Sequence, residues 1–100
     1  MNKYFKIICH YGIEKQQRKL AEEQFELQQA ISNYEQLKAV AETDSDLMIK
    51  KYENIEEEIA DNLVLITQFI NFYGIDKEVL ERIVKEKVDR TITNIVENIE

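Results

Sequence analysis

The chain has no proline and only two glycines, Gly12 and Gly74, in its 100 residues. These are the two residue types that disfavour a helix most, by about 3 and 1 kcal/mol relative to alanine. A chain nearly free of both has few places to turn, so long helices with few connections are expected. The apolar residues carry the matching period. Residues 3–11 read as a short helix with Tyr4, Ile7, Ile8 and Tyr11 apolar, and Gly12 breaks or bends the chain after it. From Ile13 to about Ala41, Ile13, Leu20, Leu27, Ile31 and Tyr34 recur at helical spacing with Ala30 beside them. Thr43-Asp44-Ser45-Asp46 reads as a turn and N-cap.

A second long segment runs from about Leu47 to Tyr73, with its stripe through Tyr52, Ile55, Ile59, Leu63, Ile66, Ile70 and Tyr73. Gly74 suits the position just past a helix end, and Asp76 reads as the next N-cap, with Ile75 and Leu80 as a hydrophobic staple. The last helix carries Leu80, Ile83, Val84, Val88, Ile92, Ile95, Val96 and Ile99. The expected fold is all-α, a long-helix bundle in one domain over residues 1–100. Three long helices enclose only a thin core. Leu65, Phe69 and Phe72 widen the apolar surface of the second long helix beyond one stripe, so it needs more than one neighbour. A homodimer or homotetramer is therefore expected, with a four-helix core completed between subunits.

Composition narrows the function. With 44% hydrophobic and 33% charged residues the chain is neither disordered nor membrane-like. Its net charge of −7 argues against binding to nucleic acid or an anionic membrane, because it repels phosphate. Cys9 is alone, so no intramolecular disulfide forms; it reads as a small buried hydrophobe. Ile7-Ile8-Cys9 is too short for a signal or membrane segment, and a cytoplasmic location is expected.

Two carboxylate pairs share one spacing: Glu23 with Glu26, and Glu58 with Asp61. Residues three apart share a helix face, and a helical wheel puts both pairs at the edge of the apolar stripe. Glu53/Glu56, Glu78/Glu81 and Glu97/Glu100 repeat the spacing, so one pair alone means little. Two core-edge pairs on adjacent helices would bring four carboxylates to one point, and a hard cation is the usual reason to tolerate that. The lone histidine, His10, excludes a Glu-x-x-His di-iron site, and Cys9-His10 cannot make a zinc site. An all-oxygen cluster suits Mg²⁺ or Mn²⁺.

The combined pattern resembles the all-α NTP pyrophosphohydrolases, the MazG-type superfamily related to the dimeric dUTPases. Their E-E-x-x-E is matched by Glu22-Glu23-Gln24-Phe25-Glu26, and their E-x-x-D by Glu58-Ile59-Ala60-Asp61. The lead-in Tyr11-Gly12-Ile13-Glu14-Lys15-Gln16, then Lys19-Leu20, and the stretch from Glu57 to Leu63 also look like the family's. The resemblance implies Mg²⁺-dependent hydrolysis of a nucleoside triphosphate to monophosphate and pyrophosphate. Glu23, Glu26, Glu58 and Asp61 would be the metal ligands. Glu22 would accept a proton from the attacking water or hold a second metal. Gln16 and Lys19 would contact phosphate or nucleotide, or else pair on the surface with Glu23 or Glu22. Asn62, Lys87 and Arg90 are the remaining substrate-contact candidates. The sequence departs from the family in a longer segment between the motifs, in Asn62 after Asp61, and in Thr91 where an amide is expected. The competing reading is a non-catalytic helical oligomeric interaction module, which the long helices and acidic surface also fit.

Overall fold

A computed structural model describes residues 2–40 and 44–98, which form four helices: α1 (Lys3–Tyr11), α2 (Ile13–Lys38), α3 (Ser45–Phe72) and α4 (Lys77–Val96). The all-α expectation holds for these residues. Ala41 at the expected end of the first long segment, Thr43 of the expected turn, Ile99 of the last stripe and Glu100 of the Glu97/Glu100 pair lie outside the described residues. No helix among the described residues is long and apolar enough to cross a membrane.

The helix ends follow from side chains that satisfy orphan backbone groups. Asn2 Oδ1 accepts from the Tyr4 and Phe5 amides to start α1. Asp44 caps α3 through the Asp46 and Leu47 amides, and Asp76 caps α4 through those of Glu78 and Val79. After α3, the Ile75 amide donates to the Ile70 carbonyl and the Gly74 amide to that of Asn71, with Gly74 at φ 61°. That is the Schellman arrangement, in which glycine takes the left-handed position without steric cost.

Gly12 stands between α1 and α2 at φ 89°, ψ 152°, a region essentially reserved for glycine. Beyond its two chain neighbours, no atom lies within 4 Å of where a Cβ would stand, so backbone strain sets the cost of replacing it. Gly12→Ala is expected to lose about 1–3 kcal/mol of stability in urea unfolding.

α2 and α3 form an antiparallel hairpin. Gln16 meets Gln68, Glu23 meets Asn62 and Tyr34 meets Tyr52, so numbers rise along one helix as they fall along the other. Its seam is the buried or half-buried line Gln16, Leu20, Glu23, Leu27, Ala30, Tyr34 on α2. The facing line on α3 is Ile55, Glu58, Asn62, Leu65, Phe69, Phe72. Steps of three and four alternate, as in a coiled-coil seam.

The expected stripes are thereby corrected. Ile59, Leu63 and Ile66 of α3 face outward, as does Ile31 of α2; Tyr52 is more than half exposed despite its contact with Tyr34, and Tyr73, just past α3, is exposed. α3 has two apolar faces, and α2 packs on the one that carries Glu58 and Asn62. Cys9 is exposed rather than buried; its neighbour Ile8, with no exposed surface, is the anchor of α1. α1 lies chiefly on α3, with Phe5 stacked on Phe72 at 6.4 Å between ring centroids.

α4 stands apart. None of its Cα atoms comes within 8 Å of a residue in another helix. Val84, Val88, Ile92 and Ile95 on it are each more than half exposed.

Candidate metal centre

The middle of the α2–α3 seam is polar. Among the described residues, the buried apolar side chains are Ala30 and Leu65 at the seam and Ile8 on α1, while Gln16, Glu23, Asn62 and Gln68 are buried polar ones. Asn62 explains how carboxylates are held there. Its Nδ2 donates to the Glu23 carbonyl at 2.9 Å and to the Glu58 carbonyl at 2.7 Å. One amide thus ties both acidic turns together across the seam. Asn62 is a substrate-contact candidate by sequence; in the structure its Nδ2 is taken up by backbone carbonyls of the two helices.

Glu23, Glu26 and Glu58 each offer one carboxylate oxygen, and these atoms lie within 4.8 Å of one another. Glu23 is 8% exposed, Glu58 half-buried and Glu26 at the open side. Glu23 Oε1 has Lys19 Nζ at 3.6 Å, a weak pair because the lysine is half in solvent. Glu23 Oε2 and Glu58 Oε2 are sealed from solvent and have no hydrogen-bond partner. Removing a charged oxygen from water without a partner is costly, so some group must satisfy these two atoms. A proton can do so. Burial first, then the charges of Glu26 and Glu23, a hydrogen bond to Glu23 and the charge of Asp61 hold the Glu58 carboxyl above its ordinary value. A divalent cation would satisfy both oxygens at once and remove the repulsion as well. The donor set is all oxygen, which suits Mg²⁺ or Mn²⁺.

The other expected residues fall in several places. Asp61 is exposed one turn from Glu58 and lines the adjoining pocket, so it flanks the three-glutamate group rather than joining it. Glu22 is exposed on α2, beside Glu23 in sequence. Lys19 and Gln16 line the pocket, with the Gln16 Nε2 donating to Gln68 Oε1 at 2.8 Å. Lys87 and Arg90 are exposed on α4, none of whose Cα atoms comes within 8 Å of the helices carrying the cluster. Glu53/Glu56 and Glu78/Glu81 share the spacing but are exposed. Gln68 was missed in the sequence. It lies seven residues beyond Asp61, and a heptad reading of α3 through Glu58, Asn62, Leu65 and Phe69 points toward it.

The described residues thus define an all-α helical hairpin with a carboxylate cluster at its seam. Comparison with protein-family models, curated proteins and solved structures finds no match for this chain.

Proposed function

We propose that the protein is a Mg²⁺-dependent nucleoside triphosphate pyrophosphohydrolase that releases a nucleoside monophosphate and pyrophosphate. The observation that carries the reading is the pair of sealed, partnerless oxygens, Glu23 Oε2 and Glu58 Oε2, inside a cluster completed by Glu26. The resemblance of Glu22–Glu26 and Glu58–Asp61 to the two family motifs supports it.

Glu23, Glu26 and Glu58 would hold the metal, with Asp61 beside them for a further ligand position. A bound Mg²⁺ supplies charge compensation for a triphosphate and lowers the pKa of a coordinated water. Asn62 fixes the backbone on which Glu23 and Glu58 stand, so the ligands are held before substrate arrives. Glu22 is the carboxylate beside the cluster that is free to take a proton. Lys19 can exchange its weak pairing with Glu23 for a phosphate oxygen once the cluster is neutralised. The test is a panel of nucleoside triphosphates with Mg²⁺, assayed for pyrophosphate. Turnover with at least one nucleotide is expected, and none with any of them contradicts the reading.

The protein acts as a homo-oligomer in this proposal. A folded chain of 11.9 kDa is expected to expose about 5,950 Å². This one exposes 8109 Å². The excess of roughly 2,000 Å² per chain is what an obligate homodimer buries. The apolar face of α4 and the outward stripe of α3 are the surfaces that supply it. Sedimentation at micromolar concentration should give at least two chains per particle, and Val88→Glu should lower that number. A monomer at tens of micromolar contradicts it. The same apolar faces also fit the non-catalytic module, and metal-dependent turnover separates the two.

A further inference from the structure

We propose that the pocket beside the acidic cluster is a nucleobase site, in which the Gln16–Gln68 amide pair reads the base edge and Tyr11 covers its face. This rests on the reading of the cluster as a triphosphate-handling metal centre. The pocket measures about 590 Å³, within the range of small-molecule sites. Ile7, Tyr11, Val64 and Leu65 give it an apolar and aromatic wall. Glu23 and Asp61 line it too, so it is continuous with the metal centre.

Its polar floor is unusually deep. Gln16 and Gln68 are each 2% exposed. The single hydrogen bond between them, Gln16 Nε2 to Gln68 Oε1 at 2.8 Å, uses one donor and one acceptor. Gln16 Oε1 and Gln68 Nε2 have no partner among the described residues, yet neither is sealed from solvent. Both residues line the pocket, and these are the two amide atoms left to pair with a guest there. An acceptor beside a donor complements the donor–acceptor pair on the Watson–Crick edge of a base.

The order along α2 matches the order of groups in a nucleotide. Lys15, Lys19 and Glu23 fall at steps of four along one side of α2, and Tyr11, the last residue of α1, lines the same pocket ahead of them. Tyr11 is half exposed, and Lys15 Nζ lies 4.9 Å from its ring centroid. From Gln16 to Glu23 is two turns, about 10.5 Å along the axis, comparable to the reach from a base across its sugar to the phosphate chain. Base, sugar and phosphates would then meet the amides, the lysines and the metal centre in turn.

The test is calorimetric titration in Mg²⁺ with two probes: a panel of α,β-imido nucleoside triphosphates, which resist cleavage at that bridge, and inorganic tripolyphosphate. At least one nucleotide should bind roughly tenfold or more tighter than tripolyphosphate. Tyr11→Ala and Gln68→Leu should each weaken that nucleotide by roughly 5- to 100-fold and leave tripolyphosphate within about twofold. Tyr11 is at the surface, so its variant remains informative should Gln68→Leu not fold. Equal affinity for nucleotides and tripolyphosphate, or variants that weaken both alike, overturns the base site and leaves the triphosphate reading standing. Binding of neither probe overturns both.

Discussion

Glu58→Gln is expected to raise the melting temperature of the metal-free protein at neutral pH, and to abolish both the Mg²⁺ response and the nucleotide hydrolysis proposed for it. The two effects have one origin. In the apo chain Glu58 is a carboxylate pressed against Glu23 and Glu26, with one oxygen sealed and unpartnered. A neutral amide removes a repelling charge and can donate to Glu23. The pH dependence follows from the direction of the Glu58 shift. Its folded value lies above the unfolded 4.5, so the folded state binds the proton more tightly. Ionisation of Glu58 therefore opposes folding at neutral pH. The penalty fades as pH falls through the raised value and is gone below 4.5. The advantage of Glu58→Gln in thermal melts should shrink over the same window. With metal the ranking reverses. Wild type gains about 2.7 kcal/mol at a free-metal concentration 100 times Kd, and the variant gains little. Losing a direct ligand should cost hydrolysis at least about 100-fold, since even outer-shell partners of metal ligands are worth 10- to 100-fold.

Ile8→Ala is expected to be the most damaging single truncation for stability. Ile8 has no exposed surface, and α1 has only nine residues, too few to stay helical without tertiary support. Removing its side chain leaves a cavity where α1 meets α3, at about 2–5 kcal/mol. That is a large part of the 5–15 kcal/mol of a typical domain. Urea unfolding measures the loss. Hydrogen exchange should localise it, with the α1 amides losing protection before those of the α2–α3 seam. Because Ile7 and Tyr11 ride on α1, the pocket wall should loosen with it.

How much was legible in the sequence follows from what each signal encodes. Chain breaks were readable because Gly12, Gly74, Asp44 and Asp76 act locally, through φ and through caps. Glu23 and Glu26 were readable as a pair because a three-residue spacing fixes one helix face, whereas Glu58 joins them from α3 through packing, with its own spacing partner Asp61 left at the flank. The rotation of α3 was not. Its most regular apolar stripe, through Ile59, Leu63 and Ile66, faces outward, and the buried line carries Glu58 and Asn62. Hydrophobic periodicity reports which faces want covering, not which neighbour covers them, and a helix with two apolar faces leaves that choice to packing. The role of Asn62 was hidden for a related reason. Its partners are backbone carbonyls on two helices, one of them 39 residues away in sequence. Gln16 and Gln68 likewise meet across 52 residues.

The central claim is that Glu23, Glu26 and Glu58 form a divalent-cation site. The most direct measurement is a Mn²⁺ titration followed by electron paramagnetic resonance, in which the free-ion signal falls as the metal binds. Wild type and Glu53→Gln, the latter altering an exposed pair of the same spacing, should both deplete the signal, and Glu58→Gln should not. Equal depletion by all three proteins would mean that Mn²⁺ binds the acidic surface at large. No depletion by wild type at millimolar Mn²⁺ would mean that the buried oxygens are satisfied by protons alone. Either result contradicts the account.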